Sequence, residues 1–367
     1  MKVYIESMGC ESNLADTNRI RNYFNVNGAN VIKDYKKADI IILMSCGFNQ
    51  IMMKDNLARL NKFNKTNAKV LLGGCIPKIK KETTKLVDDF FGPKDLDKLD
   101  QIFNFKTKIK EVSPQFNRKA KSIIRISTGC EGKCSYCAIK IANGITKSRK
   151  IEDIKKDIKQ GLKEGYSKFV FTAEDTGSWG KDIGTNILGL LTEIIKIKDK
   201  FKVTLTTINP KWFIKFPKLI DLLKSEKIEK KVYLSLQSGS NRILRLMNRQ
   251  YSVQEYRSVF DKLKKEIPEV KIQVDVIVGF PTETKKDFLD SLQLIKELNI
   301  YFLQVFAYTD MEGTISNNIT PKIPYDTIEK RAKEIILAFL EKNKDCNKRK
   351  LVNTNIKNIH KLIKSNI

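Results

Sequence analysis

Three thiols fall within eight residues at Cys130, Cys134 and Cys137, in the run Ser127-Thr128-Gly129-Cys130-Glu131-Gly132-Lys133-Cys134-Ser135-Tyr136-Cys137. The C-x3-C-x2-C spacing comes straight after the apolar run Ile123-Ile124-Arg125-Ile126, so it reads as a metal-binding loop at a strand end. Three thiolates this close together can take three corners of an iron–sulfur cubane, whose fourth iron is then open to an outside molecule. An open metal position is a reactive one. A structural zinc site is the competing reading, but it wants four Cys or His ligands. The single histidine, His360, lies near the far terminus, and no fourth cysteine is close in sequence. A disulfide fits less well, because scattered cysteines in an intracellular chain more often bind metal or catalyse.

The spacing, with the aromatic Tyr136 just before the last cysteine, resembles the signature of the radical S-adenosylmethionine (SAM) superfamily. The resemblance implies that the free iron is chelated by the amino and carboxylate groups at the methionine end of SAM. It also implies that one electron from the cluster cleaves the sulfonium and releases a 5′-deoxyadenosyl radical.

Three further cysteines each close a predicted strand. Lys2-Val3-Tyr4-Ile5 leads to Met8-Gly9-Cys10, Ala38 to Leu43 leads to Ser45-Cys46, and Ala68 to Leu72 leads to Gly73-Gly74-Cys75. Helix-length stretches, Asn13 to Val26 and Gly47 to Phe63, separate them, and this alternation argues a parallel, doubly wound sheet. Ligands in such sheets sit outside the carboxyl ends of the strands. Cys10, Cys46 and Cys75 are therefore expected to converge on a second cluster, although each alone would read as a small buried side chain. Residues from Pro77 to about Lys121 read as a terminal helix, a strand near Gln101 to Phe105 and a lysine-rich linker.

From Ile123 a second pattern begins, with strands expected at Ile123–Thr128, Lys168–Glu174, Lys202–Asn209, Lys231–Gly239, Lys271–Phe280 and Leu303–Thr309. Ile151, Ile154, Ile158 and Leu162 share one helical face, as do Val253, Tyr256, Phe260, Leu263 and Ile267, and Phe288, Leu292, Ile295 and Leu298. Six such units in succession predict a partial (β/α)6 barrel, with reactive groups at the C-terminal ends of its strands. Polar groups at those ends are candidate SAM contacts alongside Tyr136. Glu174 would accept from the ammonium and Asp275 from the ribose; Gln237 and Ser238 would line the mouth, and the Gly279-Phe280-Pro281 turn would offer open backbone and an aromatic face to adenine. The alternative for each is turn chemistry or a strand cap.

The bulk composition sets outer limits. A chain of 367 residues with 41% apolar content can bury more than one core. No stretch approaches the ~20 apolar residues of a membrane span, and the N-terminus has no secretory pattern, so a cytoplasmic protein with no membrane partner is expected. A formal charge of +27, from 69 basic against 42 acidic residues, suits a polyanionic partner, although a lysine-, isoleucine- and asparagine-rich composition also follows from an AT-rich genome.

The two cysteine sets in this order, with a barrel after a flavodoxin-like sheet, resemble the methylthiotransferases of the radical SAM superfamily over about Met1 to Leu340. Gly9-Cys10, Ser45-Cys46, Gly74-Cys75, the Cys130 loop, Leu236-Gln237-Ser238-Gly239-Ser240, Val278 to Thr284 and Glu312-Gly313-Thr314 carry the match. The run from Glu174 to Asn186, with Asn209-Pro210, is similar to the branch that modifies N6-threonylcarbamoyladenosine beside the tRNA anticodon.

The resemblance implies domains at 1–115 (auxiliary cluster), 122–340 (radical SAM barrel) and a short basic tail at 341–367. It implies two 4Fe-4S clusters and SAM as cofactors, with tRNA and an electron donor as partners. The Cys10/Cys46/Cys75 cluster would carry or supply sulfur, and the Cys130/Cys134/Cys137 cluster would cleave SAM to activate carbon 2 of the adenine. Members usually end in a small RNA-binding β-barrel that the tail is too short to form. RNA would then be held by the basic surface or by a separate RNA-binding protein. The loop Tyr308 to Thr314 is similar to the branch that methylthiolates an aspartate of a ribosomal protein, which is the alternative enzyme reading; a non-catalytic zinc-dependent RNA-binding protein is the other.

Overall fold

The computed structural model describes residues 1–116, 122–343 and 352–354. Two compact units emerge, Met1–Glu131 with Cys137–Thr206, and Gly132–Tyr136 with Thr207–Ile367. This division differs from the expected boundary near residue 115, and the reason lies in the first helix.

The first unit opens with strands β1 (Lys2–Ser7), β2 (Asn30–Ile32), β3 (Ile40–Ser45), β4 (Lys69–Gly74) and β5 (Asp89–Phe91), all parallel in the order β2-β1-β3-β4-β5. Helices α1 (Glu11–Val26), α2 (Gln50–Phe63), α3 (Ile76–Ile79) and α4 (Lys98–Phe103) connect and cover them. β3 is buried at every position, as the run Ile-Ile-Ile-Leu-Met demands of a central parallel strand covered on both faces. On one face Val3, Ile5, Ile20, Tyr23 and Phe24 pack with Ile42 and Met44; on the other, Ile41 and Leu43 pack with Leu60 and Phe63.

The expected strand at Gln101 to Phe105 is instead the end of α4. Its Ile102 and Phe103, with Phe105 just beyond the helix, pack on the core, and Asn104 turns into a left-handed conformation (φ 45°) that stops the helix there. The Lys-rich stretch 117–121 lies outside the described residues.

The same unit continues with β6 (Ser122–Arg125), β7 (Ser127–Thr128), α5 (Ile139–Asn143), β8 (Lys147–Ser148), α6 (Ile151–Lys163), β9 (Lys168–Thr172), α7 (Ile187–Ile195) and β10 (Lys202–Leu205). β10, β9 and β6 form a parallel sheet, and β7 and β8 an antiparallel pair. Helix α1 packs on β6 and β9: Ala15 lies with Ile123 and Val170, the Ser12 and Thr172 hydroxyls are 3.0 Å apart, and Arg19 pairs with Asp157 at 3.0 Å. One helix therefore serves both sheets, which is why the contact boundary does not fall between them.

The second unit holds β11 (Thr207–Ile208), α8 (Lys211–Lys215), α9 (Leu219–Leu223), β12 (Lys231–Leu234), α10 (Asn241–Leu246), α11 (Val253–Glu266), β13 (Lys271–Val278), α12 (Lys285–Glu297), β14 (Phe302–Ala307), α13 (Tyr325–Lys342) and β15 (Val352–Thr354). Its strands are parallel in chain order. Ser252 and Thr284 open α11 and α12 with capping boxes completed by Glu255 and Asp287. All six strands expected after Ile123 are present, the first interrupted at Ile126 and the third at Thr206. Within the tail, Val352–Thr354 pairs with Leu303–Val305 of β14. Cys346 and His360 lie outside the described residues.

Candidate active site

Cys10, Cys46 and Cys75 sit just beyond the C-terminal ends of β1, β3 and β4, which are hydrogen-bonded neighbours. The loops are drawn together by Asn13, whose amide donates to the Met8 and Met44 carbonyls at 2.8 Å each and to Ser45 at 3.3 Å. The Cys75 amide donates to Ser45 O at 3.0 Å, and the Cys46 amide to Asn56 Oδ1 at 3.1 Å. Gly9, at φ +118°, lies so close to Cys46 that a Cβ there would come within 2.3 Å of Cys46 Cβ and 2.7 Å of its sulfur. Only glycine permits that approach.

The three thiols sense one another. Burial pushes the Cys46 thiol up to about 12, with Cys10 adding to the effect. Burial raises Cys75 as well, helped by Cys10 and Cys46. Ligation by a metal would displace these protons.

The loop carrying Cys130 and Cys137 is framed by the β7–β8 pair and anchored by Glu174. One Glu174 oxygen accepts from the Gly129 amide at 2.8 Å; the other accepts from Arg125 at 2.6 Å and from the Asn143 amide at 2.7 Å. Arg125, which is 7% exposed, also pairs with Asp16 of α1. A buried chain of charges, Asp16–Arg125–Glu174, thus connects the helix that starts beside Cys10 to the residue before Cys130. Helix α3, which follows Cys75, packs on α5, which follows Cys137. Both fix the two cysteine segments of this unit against each other.

In the second unit, Gly132–Tyr136 is clamped by the end of α10. Ser135 bonds Leu246 and Met247 carbonyls at 2.7 and 3.1 Å, and Asn248 bonds Lys133 O at 2.9 Å. The Arg249 guanidinium donates to Cys134 Sγ at 3.3 Å while held by Tyr251 Oη at 2.9 Å and Ser235 O at 3.2 Å.

The predicted SAM contacts divide on inspection. Tyr136 and Phe280 pack in one apolar cluster with Ile243 and Met247. Gln237 and Asp275 are joined by a side-chain bond of 2.6 Å and a backbone bond of 2.8 Å. Ser238 is buried; its hydroxyl accepts from the Ser240 amide at 3.1 Å, which is turn chemistry. The amide of Gly279 was expected to be open, but it donates to Glu283 Oε2 at 2.9 Å. Three residues escaped sequence reasoning altogether: Asn13, Arg125 and Asn143. Asn143 is 2% exposed, and its Oδ1 is buried with no hydrogen-bond partner, an acceptor beside a carboxylate.

Comparison with known proteins now bears on this geometry. Residues 124–295 match the radical SAM superfamily, and residues 2–91 match the uncharacterized protein family UPF0004. A relative from Pyrococcus horikoshii, named a probable threonylcarbamoyladenosine tRNA methylthiotransferase, is 32% identical over 86% of this chain and 79% of its own length. One of the same name from Archaeoglobus fulgidus is 32% identical over 86% and 78%. The chain belongs to the radical SAM methylthiotransferase family. A ribosomal protein uS12 methylthiotransferase from Thermosipho melanesiensis is 29% identical over 92% of the chain and 82% of its own length. The radical SAM methyltransferase TsrM from Kitasatospora setae, at 12% identity, superposes with a TM-score of 0.65 over 86% of this chain and 77% of its own, a likeness of fold.

This methylthiotransferase uses SAM and 4Fe-4S clusters, and its residues fit them. Among the described residues no three His, Cys, Asp or Glu are arranged to hold one metal ion. A single zinc needs all its donors converging at about 2.3 Å, whereas each cubane thiolate takes a different iron. None of the six described cysteines is in a disulfide. The glycine-permitted approach at Cys46, the N–H donor on Cys134 and the orphaned Asn143 acceptor are features that a sulfur-rich anion and a cationic ligand would use.

Arg249→Met provides a first check on the methylthiotransferase. An N–H donor and a positive charge at the Cys134 sulfur would favour the reduced, more negative state of a cluster held there. Removing them lowers the midpoint potential by on the order of 60 mV, the shift that ~1.4 kcal/mol of lost preference gives a one-electron couple. Redox titration followed by electron paramagnetic resonance measures it, and an unchanged potential would remove Arg249 from this role.

Proposed function

We propose that this chain adds a methylthio group to carbon 2 of N6-threonylcarbamoyladenosine next to the tRNA anticodon. The single observation carrying this reading is the gathering of Cys10, Cys46 and Cys75 at adjoining strand ends, which gives the chain a second cysteine set besides the radical SAM loop. The relatives from Pyrococcus horikoshii and Archaeoglobus fulgidus support the choice of substrate by their names. Cys10, Cys46 and Cys75 are the ligands of one cluster, and Cys130, Cys134 and Cys137 those of the other. When bound, the clusters and SAM supply the sulfur and the one-electron chemistry that an aromatic C–H, lacking an acidic proton, requires.

The chain's own residues do the positioning. Glu174 and Asn143 present acceptors suited to the ammonium of SAM, with Arg125 fixing the carboxylate by a 2.6 Å bond. Gln237 holds Asp275, whose carboxylate suits ribose hydroxyls. Tyr136 and Phe280 supply an apolar wall. An electron donor completes the reaction, and the basic surface or a separate RNA-binding protein holds the tRNA. No described helix is long and apolar enough to cross a membrane, in keeping with a cytoplasmic enzyme.

Nucleoside analysis of tRNA from cells lacking the protein tests the assignment. The 2-methylthio form should vanish while N6-threonylcarbamoyladenosine persists. Unchanged tRNA with a lost methylthio mass on a ribosomal protein would transfer the assignment to the aspartate-modifying branch.

A further inference from the structure

The segment from Gly144 to Lys147 carries a feature that the cluster chemistry does not use. Ile145 is 69% exposed, the most exposed of the large apolar side chains described, and Ile141 on α5 is 41% exposed. Here the surrounding groups are cations. Lys94 Nζ donates to Ile145 O at 2.5 Å, and Lys140 bonds the Cys130 carbonyl. Lys147 stands two residues on, in β8.

The segment is rigidly held. Gly129, at φ +90°, lies so close that a Cβ would meet Ile145 O at 2.1 Å; the Cys130 amide donates to Gly144 O at 3.1 Å, and the Thr146 amide to Glu131 Oε1 at 3.2 Å. Ile145 is therefore displayed by a fixed loop, directly beside the Cys130 turn.

The charge balance there is unsettled. Burial depresses the Lys94 ammonium, and the like charges of Lys147 and Lys140 depress it further, while Glu174 and Asp182 act the other way. Those acids are already engaged: Glu174 holds Arg125, Gly129 and Asn143, and Asp182 accepts from Ser148 at 2.8 and 2.6 Å. Glu131 is taken by Lys181 at 2.7 Å. Three clustered ammonium groups around a displayed apolar side chain repel one another until an anion arrives. The alternating phosphates and apolar base faces of an RNA loop supply both partners at once.

We propose that Lys94, Lys140 and Lys147, with Ile145 at their centre, form a docking surface for the backbone of the substrate RNA. The proposal rests on the tRNA reading above and names where on this chain the RNA is gripped. Lys94 and Lys147 meet phosphates, and Ile145 lies against a base or sugar.

The test uses the cluster-loaded full chain and a synthetic anticodon stem–loop RNA, with affinity followed by fluorescence anisotropy across salt concentrations. Lys94→Ala and Lys147→Ala are made singly and together, with Lys33→Ala/Lys36→Ala as a control on exposed lysines elsewhere. Each patch lysine should lower the slope of log affinity against log salt by about one, while iron content stays at the unaltered level. Lys147→Ala is the cleaner variant, since Lys94 also secures the loop through Ile145 O. If the unaltered protein binds the RNA and the patch variants keep its slope, the surface is wrong and the tRNA reading stands. Equal losses in the control would make the attraction a diffuse effect of net charge and overturn the proposal. Failure of the unaltered protein to bind RNA would remove both.

Discussion

Anaerobically prepared Cys10→Ala protein should carry about four irons where the unaltered chain carries about eight, make no methylthio product, and still cleave SAM. Cys10 is the informative choice among the three because of where it sits. It is exposed, and it occupies the N-cap of α1 without making a capping hydrogen bond through its side chain. Alanine there forfeits no cap bond, so the fold should survive and the effect should report on the cluster. Cys46 and Cys75 are buried, and their loss would mix a packing defect with the chemical one. Iron and acid-labile sulfide analysis, alongside assays of methylthiolation and of 5′-deoxyadenosine release, separates the outcomes. An unchanged iron content would deny Cys10 its place as a ligand; loss of SAM cleavage along with methylthiolation would contradict the division of labour between the two sets.

The second large effect is structural. Arg125→Leu should cost about 3–5 kcal/mol of stability, because it strands Asp16 and Glu174 as buried carboxylates without their shared cation. The Arg125 side chain is only 8% exposed, and Asp16 and Glu174 are 5% and 10% exposed, so water cannot replace it. A loss of this size lowers the melting temperature by about 10 °C, readable by calorimetry. Combining Arg125→Leu with Asp16→Leu should recover part of the loss, since one fewer charge is stranded. A single-variant cost below ~1 kcal/mol would mean that solvent reaches the network and that it does not hold the cysteine segments in place.

What could be read from the sequence follows from how far apart the cooperating residues lie. The Cys130 loop was legible because its donors are neighbours in the chain, and the parallel sheet because β3 and β4 are continuous apolar runs between helical stretches. That Cys10, Cys46 and Cys75 follow the ends of adjoining strands came from the rule that parallel strands finish on one side. Nothing in spacing or composition joins Asp16 to Arg125 or Arg125 to Glu174; only α1 lying on β6 and β9 brings them together. The strand expected at Gln101 to Phe105 failed because five residues with three apolar side chains suit either a strand or a helix end. There the left-handed Asn104 decided the matter. Gly279 likewise has the right neighbours in sequence for an open amide, yet Glu283, four residues on, had already claimed it.

The double service of α1 limits how such a protein can be divided. A fragment beginning at residue 122 would expose Ile123 and Val170, deprive Arg125 of one carboxylate and Asp157 of Arg19. A fragment ending near residue 115 would bare the opposite side of the same contact. Grafting either half onto an unrelated neighbour therefore requires remaking this seam residue by residue, which ties the inheritance of the segment carrying Cys10, Cys46 and Cys75 to that of β6 and β9, on which α1 rests.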